Sequence, residues 1–534
     1  MWFSDRLRMV LFCFLLAAPG AGILLLALGG ERQRADFTFV NQAEITSLDP
    51  AIATAIPEGR IIMALFEGLT TLHPRTLEPL PGAAQSWDVS DDGLLWTFHI
   101  RPGLRWSDGS PLTAHDFVYS WTRFLKPETA AAYAYLLWPV EGREEFLAGT
   151  GEKMGLTGLG APDDLTFEVR LKSACPYFAN IVSFYPLCPV SRACLERFGP
   201  KDWIKPENLV SNGPFRIIER RLKDRIRLEK NPLYWDRDNV HTGTIDALAV
   251  DSPMTALNLY LTGDVDWINF VPPIAIPALA DRADFSTAPN LGTNFLRFNT
   301  TRSVLGDPRI RRAIHLAIDK KELVERVLKG GQIPADSFVP PGIPGYEPSR
   351  VEIYDPDGAR GLLAAAGYPE GRGFPEFSLL YSTSEANRDL AEVIALQLKR
   401  NLGIRLHPAS QERKVYFLSQ NTLDYDLCLC SWLGDYLDAS TFLDVFTSKS
   451  ETDNNRTGWA NDAYDRLISE AAAELDRARR AALLESAEEI LLREAPIAVL
   501  YFRTTTNLFN RDWQGYDDNI LDIHPLKYMR RRER

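Results

Sequence analysis

The stretch from about 385 to 436 constrains the fold more than any other. An amphipathic helix over about 385–401 puts Leu390, Val393, Ile394 and Leu398 on one face, with Gly403 past its end. It leads through a short strand, Ile404–His407, towards an apolar run of strand length from Tyr425 to Leu433. Strands alternating with helices are the grammar of βαβ units, so a largely parallel sheet is expected. The run stops at Gly434 and delivers Asp435 between two aromatics, Trp432 and Tyr436. Open α/β sheets bind ligands beyond the carboxyl ends of their strands, which puts Asp435 at the mouth of a crevice. A carboxylate there suits a ligand ammonium, with Trp432 and Tyr436 walling a side-chain pocket. The same residues also suit a plain turn in which Asp435 accepts from nearby backbone N–H groups. The residues alone leave both readings open.

The flanking sequence supplies the rest of an α/β chain. Residues 36–57 open on alternating Phe37 and Phe39 and continue as an edge-like segment to Leu48-Asp49-Pro50. Residues 86–121 read as a β-meander, with Leu94, Trp96, Phe98 and Ile100 alternating, followed by a helix that Thr113 and Asp116 open as a capping box. Residues 165–171 form another alternating strand, and 213–230 give two strands around Leu222-Lys223-Asp224. Helices are expected at about 308–318 and 320–329, from Asp355-Pro356 to Gly367, and at 461–474 and 477–493, before a strand Ile497–Phe502.

At 534 residues the chain has room for two or three domains with large cores. A net charge of −12 argues against nucleic acid as a partner. Arg6 and Arg8 precede an uncharged, mostly apolar run from Met9 to Gly30, which fits an export signal and is also long enough to stay as a membrane anchor. Cys13 lies inside that run, and the other cysteines are Cys175, Cys188, Cys194, Cys428 and Cys430. Cys428 and Cys430 point to one face of a strand and read as core, while Cys188 with Cys194 is the closest feasible disulfide. The seven histidines are scattered, with no His-Glu-x-x-His and no Cys/His cluster, so no metal or cofactor is expected. No G-x-S-x-G elbow or Walker-type loop is present.

Several segments together carry a resemblance. They are Ser47-Leu48-Asp49-Pro50, Leu65-Phe66-Glu67-Gly68-Leu69, Leu104-Arg105-Trp106-Ser107-Asp108-Gly109, Ser211-Asn212-Gly213-Pro214-Phe215, Lys230-Asn231-Pro232-Leu233-Tyr234-Trp235 and Trp432-Leu433-Gly434-Asp435-Tyr436. From about residue 36 to the end the chain resembles family 5 of the bacterial extracytoplasmic solute-binding proteins, the oligopeptide- and dipeptide-binding receptors of ABC importers. The resemblance implies a periplasmic-binding-protein-like type II α/β fold, two lobes around a ligand cleft, with an extra α+β domain. It divides the chain into a signal or anchor at 1–34, domain I at 36–57, 182–290 and 503–534, domain II at 58–181, and domain III at 291–502. The implied function is a monomeric, non-enzymatic receptor in the periplasm, released or anchored to the cytoplasmic membrane. It delivers peptides to an inner-membrane permease with its ATPase subunits. An exported peptide hydrolase, or a receptor for nickel or a murein peptide, is the alternative.

The resemblance also assigns residues. Asp435 holds the peptide ammonium, with Trp432, Leu433, Gly434 and Tyr436 around it. Glu44, Ile45 and Thr46 run along the ligand backbone. Tyr133, Tyr135 and Trp138 face the cleft or pack in a core, and Asn258, Tyr260 and Asn294 line it. Departures from the family pattern fall at the ligand's other end. Leu429, Asn387 and Leu328 stand where oligopeptide receptors carry basic side chains, Arg413 where they have a pocket tryptophan, and Arg297 where an acidic residue is usual. Arg297 and Arg413 are therefore the candidate cations for a ligand carboxylate. Leu433 stands at the position of a cleft cysteine, so that disulfide is absent.

Overall fold

The computed structural model describes residues 34–149, 156–448 and 454–533. By internal contacts the chain divides into Met1–Asp36 and Phe37–Arg534, and the architecture below is that of the second unit. The apolar run Met9–Gly30 lies outside the described residues. Among those described, no helix is long and apolar enough to cross a membrane.

An eleven-stranded sheet forms the spine. Its strands follow the order Leu406–Gln411, Phe377–Ser382, Leu427–Leu433, Phe285–Phe298, Ile497–Phe509, Trp267–Ile268, Phe37–Val40, Thr244–Leu248, Arg225–Lys230 and Phe215–Arg221, with Ile333–Pro334 also paired to Ile497–Phe509. The sheet is mixed rather than largely parallel. Phe377–Ser382 runs parallel to both of its neighbours, because the helices Glu385–Leu402 and Arg413–Asn421 carry the chain back across the sheet between those strands. Phe37–Val40 is likewise parallel to both neighbours and fully buried, a central strand. The other pairings are antiparallel, including Phe285–Phe298 with Leu427–Leu433 and with Ile497–Phe509. A register shift between Pro289 and Thr293 bends the second of these ladders in mid-course.

The strand Leu427–Leu433 is buried on both faces over its first four residues. Leu427 and Leu429 pack with Leu296, Ala498 and Leu500 on one side of the sheet. Cys428 and Cys430 pack with Phe295 and Val499 on the other. The period-2 alternation of a strand produces this division directly. All five described cysteines are free and buried, so the Cys188–Cys194 bridge does not form. Cys194 instead donates its thiol to the Asn208 carbonyl at 3.1 Å.

A second, antiparallel sheet takes the order Ala84–Val89, Leu95–Ile100, Thr166–Arg170, Leu159–Asp163. The helix Ala114–Leu125 lies against it, with Trp121 edge-on to Phe167 at 5.2 Å. Its capping box is present, the Thr113 N–H donating to the Asp116 carboxylate at 2.8 Å. The helix Glu385–Leu402 is capped by Ser384 and ends at Gly403, whose φ of 70° only glycine adopts freely. Beyond Asp319 the helix is Lys320–Glu322, continued as one π turn, Leu323–Leu328.

Candidate ligand-binding site

The site begins where Leu427–Leu433 ends. The Gly434 N–H donates to the Leu291 carbonyl at 2.8 Å, and a Cβ on Gly434 would fall 2.6 Å from Leu291 Cδ2. Glycine is what allows the chain to come this close. Thr441 then fixes the turn: its hydroxyl accepts from the Asp435 N–H at 3.1 Å, and its carbonyl accepts from Trp432 Nε1 at 2.7 Å. Main chain and Thr441 thus satisfy the turn without the Asp435 carboxylate.

That carboxylate accepts a hydrogen bond from the Tyr135 hydroxyl at 2.6 Å. No lysine, arginine or histidine forms an ion pair with it among the described residues. Burial pushes its pKa above the ordinary aspartate value, against the opposing effect of the Tyr135 bond. Burial together with the Asp435 charge raises the Tyr133 hydroxyl to about 12 and lifts Tyr135 as well. Tyr436 lies flat on Tyr177, with ring centroids 5.2 Å apart and planes within 4°. Asp435 opens into a cavity of about 260 Å³ whose apolar lining includes Met63, Phe66, Tyr133, Phe184, Tyr185 and Leu433. A carboxylate facing an apolar wall, with a neutral donor and no cation paired to it, is poised for a cationic ligand group.

The structure gathers Leu433, Gly434, Asp435 and Tyr436 at this cavity, with Tyr135 bonded to Asp435 and Trp432 bracing the turn. The other expected residues lie elsewhere. Glu44 pairs with Arg220 at 2.9 Å and caps the Lys223 N–H, Ile45 is buried in a core, and Thr46 binds Glu58. Residues 44–46 form no strand, because Glu58 gathers the N–H groups of Thr46, Ser47, Thr54 and Ala55 into an irregular loop. Asn258 is exposed, and Tyr260 donates to Asp284 at 2.8 Å inside a separate core. Asn294 sits between the strands carrying Ser431 and Tyr501. Arg297 is 4% exposed and spends its guanidinium on Gln420 Oε1 at 2.8 Å and the Asn454 carbonyl at 3.0 Å. Arg413 stands exposed at the start of its helix, over the Phe417 ring. Neither arginine lines the cavity. Leu429 belongs to the core, and Asn387 bonds to the Ser382 carbonyl.

Sequence reasoning missed the helix Ile56–Leu65 and the segment Phe184-Tyr185 as walls of the site. Short apolar stretches of this kind carry no periodicity that separates a cavity wall from a core. Among the described residues, no three His, Cys, Asp or Glu side chains gather as a metal site.

Residues 78–454 match the family described as bacterial extracellular solute-binding proteins, family 5. The chain is 35% identical to the periplasmic murein peptide-binding protein MppA of Escherichia coli, over 89% of each chain. It is 31% identical to the oligopeptide-binding protein OppA of Bacillus subtilis, over 95% of each. Among solved structures it resembles unliganded, open MppA with a TM-score of 0.80 and 33% identity, covering 93% of this chain and 98% of that one. It resembles Haemophilus influenzae OppA in complex with the peptide RPPGFSPFR with a TM-score of 0.76 and 30% identity, covering 94% of this chain and all 100% of the other.

Proposed function

Because this chain belongs to family 5 of the bacterial extracellular solute-binding proteins, we propose that it captures peptides outside the cytoplasm and delivers them to an ABC-type permease with its ATPase subunits. The fold is of the type II periplasmic-binding-protein class, with the smaller α+β sheet added. The observation that carries the ligand assignment is Asp435, ionisable and set in an apolar cavity with the Tyr135 hydroxyl on it. An ammonium is a group every unblocked peptide carries, so one fixed carboxylate serves many sequences. Residues 36–57, 182–290 and 503–534 are read as one lobe, 291–502 as the other and 58–181 as the added domain. The strands Phe285–Phe298 and Ile497–Phe509 run between the two lobes, and their bend near Pro289 is the natural place for hinge closure. The receptor is read as a binding protein, not an enzyme.

Native mass spectrometry of the purified protein with a mixed peptide library tests this directly. Peptides are expected to be retained and recovered intact. Cleavage products would favour the hydrolase reading, and no retention at all would remove the peptide.

The raised Asp435 pKa adds a pH signature. Above that pKa the free receptor is ionised and binds an ammonium without proton exchange. Below it, binding must expel a proton, so affinity falls by up to about tenfold per pH unit. The dissociation constant should be lowest between that pKa and about 7, above which the peptide amine itself loses its proton, and on the acid side should begin to rise at a pH above the ordinary aspartate range of about 4. Asp435→Asn should bind weakly and lose this dependence. A wild-type constant that stays level down to pH 4 would contradict the assignment.

A further inference from the structure

Five charged side chains besides Asp435 line the cavity: Arg60, Glu67, Asp522, His524 and Lys527. Four of them form pairs. Lys527 Nζ lies 3.5 Å from Glu67, which also accepts from Trp235 Nε1 at 2.5 Å, and His524 Nε2 lies 2.9 Å from Asp522 Oδ1. Arg60, in the middle of the helix Ile56–Leu65, has no such partner. It is 4% exposed and donates from Nη1 to Asn41 Oδ1 at 3.0 Å. Its guanidinium lies over the Trp267 ring, 4.9 Å from the centroid, and Asn269, with its amide oxygen turned inward, accepts from Nη2 at 2.8 Å. All of these are neutral groups. They hold the guanidinium in place without cancelling its charge, and the Asp522 carboxylate acts on it only from beyond ion-pair distance. His524 is 3% exposed and its Nδ1 has no hydrogen-bond partner.

One cavity therefore holds two charges of opposite sign, Asp435 and Arg60, each without an ionic partner among the described residues. A buried charge of this kind is costly unless something pairs with it. We propose that Arg60 is the second anchor of the site and takes a carboxylate of the ligand, so that the preferred ligand is a short zwitterionic peptide held at both ends. Arg60 supplies the cation that Leu429, Asn387 and Leu328 do not, and that Arg297 and Arg413 are placed too far from this cavity to provide. An arginine suits the task because its planar fork can meet both carboxylate oxygens while other donors stay bonded to Asn41 and Asn269.

This inference rests on the peptide reading, and the test separates the two. Synthetic Leu-Ala, Leu-Ala-Ala and Leu-Ala-Ala-Ala are titrated calorimetrically as free acids and as C-terminal amides. Amidation is expected to weaken the best-bound length by roughly 30-fold, the loss expected when a buried charge is stranded. Arg60→Gln should bind acid and amide alike, whereas Arg60→Lys should keep part of the preference. If Arg60→Gln does not fold, Arg60→Lys carries the test, and an undiminished preference in that variant would overturn the assignment. Peptides that bind equally well as acid and amide at every length would overturn the Arg60 assignment and leave the peptide reading intact. An unchanged preference in Arg60→Gln would do the same. Peptides that bind in neither form would instead overturn the peptide reading.

Discussion

Replacing Asp435 by alanine is expected to weaken peptide binding by roughly 2–5 kcal/mol, much of it the cost of closing an ammonium into a site left with no unpaired anion. The surroundings set that magnitude. The other carboxylates that line the cavity, Glu67 and Asp522, already face Lys527 and His524, so neither stands in for Asp435. The Tyr135 hydroxyl, 2.6 Å from Asp435, would be left with no acceptor there. N-acetylation of the peptide should cost the unaltered protein a comparable amount. The two losses should not add, because both remove the same pair. Calorimetry on the four combinations measures this, and full additivity would mean that ammonium and carboxylate do not meet. Tyr436 on Tyr177 and the Thr441 bonds hold the turn without the Asp435 side chain, so the alanine variant should fold normally.

The largest expected effect on stability is far from the cavity. Glu488 is fully buried on the helix Arg477–Glu494 and accepts from the N–H groups of Phe338, Val339 and Ser349 and from the Tyr346 hydroxyl, all at 2.7–2.9 Å. Residues 335–351 have no regular structure, so this one carboxylate satisfies donors that would otherwise be paired in a ladder. Glu488→Ala strands four donors, three of them buried, and should destabilise the fold by about 3–5 kcal/mol in urea unfolding. Glu488→Gln keeps one acceptor oxygen and should lose less. A loss below about 1 kcal/mol for the alanine variant would mean that the loop holds its own shape.

What could be read in the sequence follows from how local each signal is. The helix from 385, the capping box at Thr113, the N-cap at Asp355 and the hairpin around Lys223 are decided by residues a few positions apart, and they stand where expected. Asp435 at the end of a buried strand was legible for the same reason. The extent of Phe285–Phe298 was not, because Pro289 and Gly292 interrupt it and its partner lies some 200 residues away. The helix Arg413–Asn421 was hidden by exposed Val415, Phe417 and Leu418, which blur its polar face. The loop that carries Glu44 and Thr46 was not legible, because Glu58, a helix residue, holds it from outside. Arg60 gave no sequence signal at all. Its significance comes from the pairing of Lys527 with Glu67 and of His524 with Asp522, contacts between positions hundreds of residues apart or inside an irregular tail.

The strand Ile497–Phe509 has a consequence for biogenesis. It joins Phe285–Phe298, Ile333–Pro334 and Trp267–Ile268, and through the last of these it reaches the opening strand Phe37–Val40. Until the ribosome has made residues 497–509, the halves of the central sheet have nothing to close on. Loop-closure entropy keeps such distant pairings open until the missing segment arrives. Placing the joining strand after the segments it joins keeps the central sheet unlocked until those segments have all been made.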